Sequence, residues 1–157
     1  MKKRLLVLSD THGRKTAIDL VLAKAGEVDA VFHLGDNIRD ALYIRDSGRT
    51  VYCVKGNCDL NDEADTEMIL HMAGCRILIT HGHKYGVKYG RDKLIYRAME
   101  LEVDAAFYGH THVPYNAYFE GILILNPGSI SEPRFGKPTF AVAEVQAGTI
   151  RANLKTL

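Results

Sequence analysis

Five apolar runs in this chain end alike, and that shared ending narrows the folds open to it. RLLVLS (4–9) runs into Asp10-Thr11-His12, DAVFHLG (29–35) into Asp36-Asn37, and TVYCVKG (50–56) into Asn57-Cys58-Asp59. Further on, CRILITHG (75–82) closes on Thr80-His81-Gly82-His83, and AAFYG (105–109) precedes His110-Thr111-His112. Short apolar runs that stop at polar residues and glycine read as buried strands. Between the first two, Ile18, Val21, Leu22 and Ala25 fall on one helical face, which predicts a helix over about 15–25. Polar helical sequence separates the second run from the third. A β-α-β-α-β rhythm of this kind implies a parallel sheet.

The second half has a different character. TEMILHM (66–72) and CRILITHG (75–82) flank a glycine turn and read as an antiparallel hairpin. A helix is predicted over about 91–102, with Leu94, Ile95, Ala98 and Leu101 on one face. AAFYG (105–109), NAYFE (116–120), ILILN (122–126), TFAVAEV (139–145) and TIRANL (149–154) follow as strands. So many strands in so few residues predict two mixed sheets face to face with helices outside, a four-layer αββα sandwich.

The 157 residues show no linker, repeat or low-complexity tract, so residues 1–157 are read as a single domain. With 20 basic and 19 acidic side chains the net charge is +1, which gives no electrostatic case for a nucleic-acid or membrane partner. The N-terminal apolar run after MKKR is too short for a signal peptide, and no run could span a bilayer. Cys53, Cys58 and Cys75 form no CxxC pair, which fits a reducing, cytoplasmic compartment; Cys53 and Cys75 fall inside strands as inert residues.

In α/β sheets, ligands bind beyond the carboxyl ends of strands, where loops from several strands converge. Carboxylate, amide oxygen and imidazole make a mixed O/N donor set suited to divalent metals of intermediate hardness. Seven such groups exceed the needs of one ion and suit two ions sharing a carboxylate, an arrangement used to hydrolyse phosphate esters. D-x-H and H-x-H would place alternate side chains on one side of an extended segment. Taken singly, Asp10, Asp36 and Asn57 read as helix caps or turn residues. Caps do not account for His12, His81, His110 and His112 at three strand ends. His33 and His71, within strands, are read as core or surface histidines.

SDTHG, GDN, GNCD, THGH and GHTH, in this order, resemble the motifs of the calcineurin-like metallophosphoesterases. NPGSISEPR (126–134) is similar to the C-terminal signature of the small bacterial and archaeal phosphodiesterase subgroup, whose fold the retromer subunit shares. The resemblance implies one ion held by Asp10, His12, Asp36 and His112, and a second held by Asp36, Asn57, His81 and His110, with Asp36 bridging. A hydroxide bridging the two ions would attack phosphorus in line. His83 would orient a ligand from outside the set or exchange roles with His81. Cys58 stands where the wider family commonly has a histidine that protonates the leaving group, so Cys58 is the catalytic candidate, although a thiol is shorter than imidazole. Gly56 would free the backbone to turn Asn57 inward.

Mn²⁺ is the ion expected at such a centre, with Fe, Ni and Zn as alternatives. The expected partner is a small-molecule phosphodiester, and the expected assembly a monomer or homodimer. Arg134 and the tyrosines Tyr85, Tyr89 and Tyr96 are candidates for a substrate rim. The competing expectation is a protein-interaction scaffold of the same fold, against which the filled ligand positions count.

Overall fold

The computed structural model describes residues 1–60 and 64–157. Two five-stranded mixed sheets lie face to face. The first is ordered β10-β9-β1-β2-β3, from strands β1 (Lys2–Leu8), β2 (Ala30–His33), β3 (Val51–Cys53), β9 (Thr139–Gln146) and β10 (Thr149–Thr156). The second is ordered β4-β5-β6-β8-β7, from β4 (Glu67–Met72), β5 (Cys75–Thr80), β6 (Ala105–Phe107), β7 (Tyr115–Phe119) and β8 (Ile122–Asn126). Helices α1 (Lys15–Ala25), α2 (Ile38–Asp46) and α3 (Asp92–Glu100) complete the elements, with one 3₁₀ turn at His83–Tyr85.

Three apolar clusters separate the four layers. Leu5, Val7, Phe32, Ile77, Ile79, Phe107 and Leu125 fill the space between the sheets. Leu6, Leu8 and Val31 face the other way, against Ile18, Val21 and Leu22 of α1 and Ile44 of α2. On the far side Leu78, Ala106 and Ile124 meet Leu94 and Ala98 of α3. Side chains alternate faces along a strand, and these strands are covered on both faces, so they read as continuous apolar runs. The exposed edge strands of the two sheets are stapled together: Tyr118 Oη donates to Ile150 O at 2.5 Å and Asn116 Nδ2 to Ala152 O at 2.8 Å.

What matters for the site is direction. β1, β2 and β3 run parallel to one another, as do β5, β6 and β8. The five polar strand ends therefore gather at one rim of the sandwich. The β4–β5 hairpin is antiparallel, as its turn residues predict. Several elements are shorter than the apolar runs suggest: the second run pairs only over Ala30–His33 and the third only over Val51–Cys53. Beyond His33 the backbone leaves the ladder, since Gly35 and Asp36 both take positive φ. No helix among the described residues is long and apolar enough to cross a membrane.

Candidate metal centre

Asp10, His12, Asp36, Asn57, His81, His110 and His112 all reach this rim. They form two adjoining groups. In one, Asp10 Oδ1 is 3.2 Å from His112 Nε2, which is 3.5 Å from His12 Nε2. In the other, His81 Nε2 is 3.4 Å from Asp36 Oδ2, 3.2 Å from His110 Nδ1 and 3.1 Å from Asn57 Oδ1. The groups adjoin where His81 Nε2 comes within 3.8 Å of Asp10 Oδ1. Donors about 2.1 Å from a common ion, at angles of 90–120°, stand roughly 3.0–3.6 Å apart. The separations from His112 in the first group and from His81 in the second fall in that range.

Asp10 Oδ1 gives the most direct test of fit. It is buried and has no hydrogen-bond partner among the described residues, whereas its other oxygen accepts from Ser9 Oγ at 2.5 Å and from the His110 amide at 3.0 Å. A buried carboxylate oxygen left bare is costly unless a cation takes it. The histidines are likewise set to present lone pairs. His81 Nδ1–H donates to Leu34 O at 2.7 Å and His112 Nδ1–H to Glu132 O at 2.6 Å, so each turns Nε2 toward the centre. Asp36 Oδ1 accepts from the Cys58 amide at 3.0 Å, leaving Oδ2 to face His81. The residues present fit divalent ions.

The charges here are paired: burial would lower His81, but Asp36 and Asp10 outweigh it and raise it, and Asp10 raises His112. Burial would raise Asp36, but His81 and the Cys58 amide outweigh it and hold the carboxyl well below the usual range. Burial would raise Asp10 too, and His112, His81 and Ser9 reverse that. Burial, then the charges of His81 and Lys88, lower His110 to about 4. His110 is therefore neutral and free to ligate near pH 7.

The backbone is unusual here. Asp10, His12, Asp36, His110 and His112 have φ of 55°, 49°, 60°, 70° and 60°. The D-x-H and H-x-H pairs thus converge through left-handed residues, not through the extended alternation that their spacing suggests. Such conformations persist only where surroundings hold them, and they cluster at functional sites. Gly56 also differs from expectation. It is needed for close approach: a Cβ there would lie 2.1 Å from Asp36 Oδ1. At Gly109 a Cβ would lie 1.9 Å from Ser9 Oγ, where the two sheets meet.

Side chains that sequence reading left unassigned support these loops. Asp59 Oδ1 accepts the Asn37 and Ile38 amides and Oδ2 those of Asp36 and Gly56, at 2.8–3.0 Å, capping α2 from another loop. Beneath the Asp10 loop, the Gly35 amide donates to His33 Nδ1, His33 Nε2–H to Thr11 Oγ1, and Thr11 to Asp40 Oδ2, which also accepts the Gly13 amide. His33 is thus a fully buried, hydrogen-bonded core residue. Beyond β8, a sixth strand end, Ser129 Oγ donates to Asp10 O at 2.8 Å, and Asn126 Nδ2 binds Gly109 O and Thr111 Oγ1.

His83 packs its ring 5.4 Å from that of His81 and 6.0 Å from that of His110, and its Nδ1 is buried without a partner among the described residues. Cys58 is exposed. Burial of its thiol, then the neighbouring Asp36 carboxylate, pushes it up to about 11. It lies in the wall of an open cleft of about 580 Å³ beside the centre, with His12, Arg39 and Leu60. A larger cavity, about 720 Å³ and bordered by Gly26, Asp29 and Arg49, precedes β2 and lies away from these groups. Tyr85 is tied to Glu67 at 2.7 Å, while Tyr89 and Tyr96 are exposed. The Arg134 amide donates to His112 O at 3.3 Å.

Residues 3–148 match the family model for the calcineurin-like phosphoesterase superfamily domain. A probable metallophosphoesterase of Bacillus subtilis, YsnB, is 34% identical over 94% of this chain and 88% of its own length. The Escherichia coli phosphodiesterase YfcE is 31% identical over 86% of this chain and 83% of its own. Among solved structures, a predicted phosphoesterase from Streptococcus pneumoniae TIGR4 superposes with a TM-score of 0.84 at 33% identity, covering 99% of this chain and 90% of its own. Chaetomium thermophilum Vps29 superposes at 0.77 with 19% identity, over 99% and 97% of the two chains, a likeness of fold.

Proposed function

This chain belongs to the calcineurin-like phosphoesterase superfamily, and from that premise we propose that it hydrolyses small phosphodiesters at a centre of two divalent ions, Mn²⁺ by preference. The family and the two donor groups support a metal-dependent phosphoesterase. The diester preference takes its support from the likeness to YfcE. The single observation that carries the proposal is the bare, buried Oδ1 of Asp10 facing His112 and His81.

When bound, the ions supply an activated water for attack on phosphorus and neutralise charge on the phosphoryl oxygens. The chain's own residues do the positioning. Asp10, His12, Asp36 and His112 would hold one ion; Asp36, shared between the two, would hold the other with Asn57, His81 and His110. Leu34 O and Glu132 O orient His81 and His112 with Nε2 toward the centre, and uptake of an ion would displace the protons that Asp36 and Asp10 favour there. Cys58, on the cleft wall, would face the leaving group. A thiol that stays protonated through neutral pH is a weak acid, which favours diesters whose leaving groups depart unaided.

Reconstitution of the metal-free chain with Mn²⁺, Fe²⁺, Ni²⁺ or Zn²⁺, assayed on an aryl phosphodiester and its monoester, tests this reading. Turnover of the diester ahead of the monoester is expected. Inactivity with every ion would favour the scaffold reading, which the Vps29 fold permits but the complete donor set opposes.

A further inference from the structure

We infer that Glu132 is a further residue of this metal centre, its carboxylate facing the solvent side of the ion that Asp10, His12 and His112 would hold. The inference rests on reading the site as a metal centre and adds a residue and a consequence for substrate choice.

The position of Glu132 is fixed from three directions. Its amide donates to Ser129 Oγ at 2.9 Å, and the same hydroxyl donates to Asp10 O at 2.8 Å. Its carbonyl accepts Nδ1–H of His112 at 2.6 Å. Its carboxylate oxygen Oε2 stands 3.8 Å from His12 Nε2. The backbone of Glu132 is thus tied to two residues of the donor group while its side chain approaches the third. Asp10 is fully buried, His12 and His112 lie nearer the surface, and the Glu132 side chain is 52% exposed. The carboxylate therefore caps the outer side of the group at little desolvation penalty.

As an isolated ion pair with histidine, a half-exposed carboxylate would contribute little. Beside a bound cation its role changes. The donors of the two ions include only two carboxylates, Asp10 and the shared Asp36, so two divalent ions there would keep an excess of two positive charges. Glu132 would cancel one of them, either in direct contact or through a water. Both arrangements raise affinity for the ion. Both also place a negative charge where substrate enters. A phosphate monoester carries close to two negative charges at neutral pH, and a diester carries one. The monoester is repelled more strongly, so Glu132 biases the centre toward diesters.

Calorimetric titration of Mn²⁺ into metal-free wild type, Glu132→Gln and Glu132→Leu tests this, with Glu120→Gln, on the β7–β8 turn, as a charge control. One Mn²⁺ affinity is expected to fall about 10–100-fold in both Glu132 variants, the range for residues that support metal ligands, and to hold in the control. The ratio of monoester to diester kcat/KM should rise in Glu132→Gln. Wild-type Mn²⁺ affinities in both Glu132 variants would overturn the inference even if the enzyme proves an active diesterase. A wild type that binds no divalent ion would overturn the metal-centre reading itself, and this inference with it.

Discussion

His12 and His112, one hundred residues apart, bring their Nε2 atoms to 3.5 Å. Nδ1 of His112 already donates to Glu132 O, which turns its Nε2 toward His12, and the neighbouring Asp10 carboxylate raises the ring's affinity for a proton. Asp10 Oδ1, 3.2 Å from the same nitrogen, is a further acceptor. Three electron-rich atoms are thus held together by loops that cannot easily separate them.

A cation that fills this gap should stabilise the chain. At a free Mn²⁺ concentration of about 100 Kd, binding contributes roughly 2.7 kcal/mol, which for a chain of this size raises Tm by roughly 5–10 °C. Thermal unfolding with EDTA and with Mn²⁺ measures the difference. Equal Tm values would count against the centre.

Gly56→Ala should damage the centre and spare the fold. The added methyl would lie 2.1 Å from Asp36 Oδ1 and 2.6 Å from the Asp36 amide nitrogen, so the carboxylate and the Asp36 loop backbone must both shift away from their place beside His81. Activity is expected to fall on the order of 10²-fold, as for a displaced catalytic geometry. Circular dichroism should remain native, whereas retention of wild-type kcat/KM would show that the close approach is dispensable.

Asp40 holds the Asp10 loop without touching the donors. Asp40→Ala would strand the Thr11 hydroxyl and the Gly13 amide, a cost of about 1–3 kcal/mol in urea unfolding. Metal affinity should fall roughly 10–100-fold, as when supporting hydrogen bonds are lost. A stability loss with unchanged Mn²⁺ affinity would mean the network is purely structural.

His33 should remain neutral well below its ordinary value of 6.5, because burial opposes its charge more strongly than Asp40, Asp10 and Asp59 favour it. Protonation would also break the bond it accepts from the Gly35 amide. Between its folded value and 6.5 the unfolded chain binds more protons than the folded one. The stability His33 contributes is therefore complete above about pH 6.5 and is lost as pH falls. An NMR titration of the His33 ring resonances reads this directly, and a midpoint at or above 6.5 would contradict it.

Across aryl diesters graded in leaving-group pKa, a steep decline in rate is expected, with Cys58→Ala within about threefold of wild type. An efficient acid contributes 10²–10⁴-fold. A flat dependence that turns steep in Cys58→Ala would instead assign the thiol that role.

The strands and their shared polar endings were readable because periodicity and residue type are local properties. Five endings bearing Asp, Asn or His announced a common site. Asp59, Asp40, Ser129 and Glu132 gave no such signal. Asp59 caps a helix that begins 21 residues earlier, and Ser129 secures a carbonyl 119 residues away. Those partnerships exist only once the sheets have packed. The left-handed φ values were equally hidden, since Asp and His do not announce them as glycine does. Spacing suggested extended pairs, and the need to point several side chains at one spot overrode it.

Five residues of the centre occupy a backbone region that most side chains avoid. Glycine or asparagine would sit there at less strain, so a descendant that abandoned catalysis could relax by exchanging them. Keeping aspartate and histidine at these positions holds the empty chain below its attainable robustness. What it gains is a socket already shaped for its guests before they arrive.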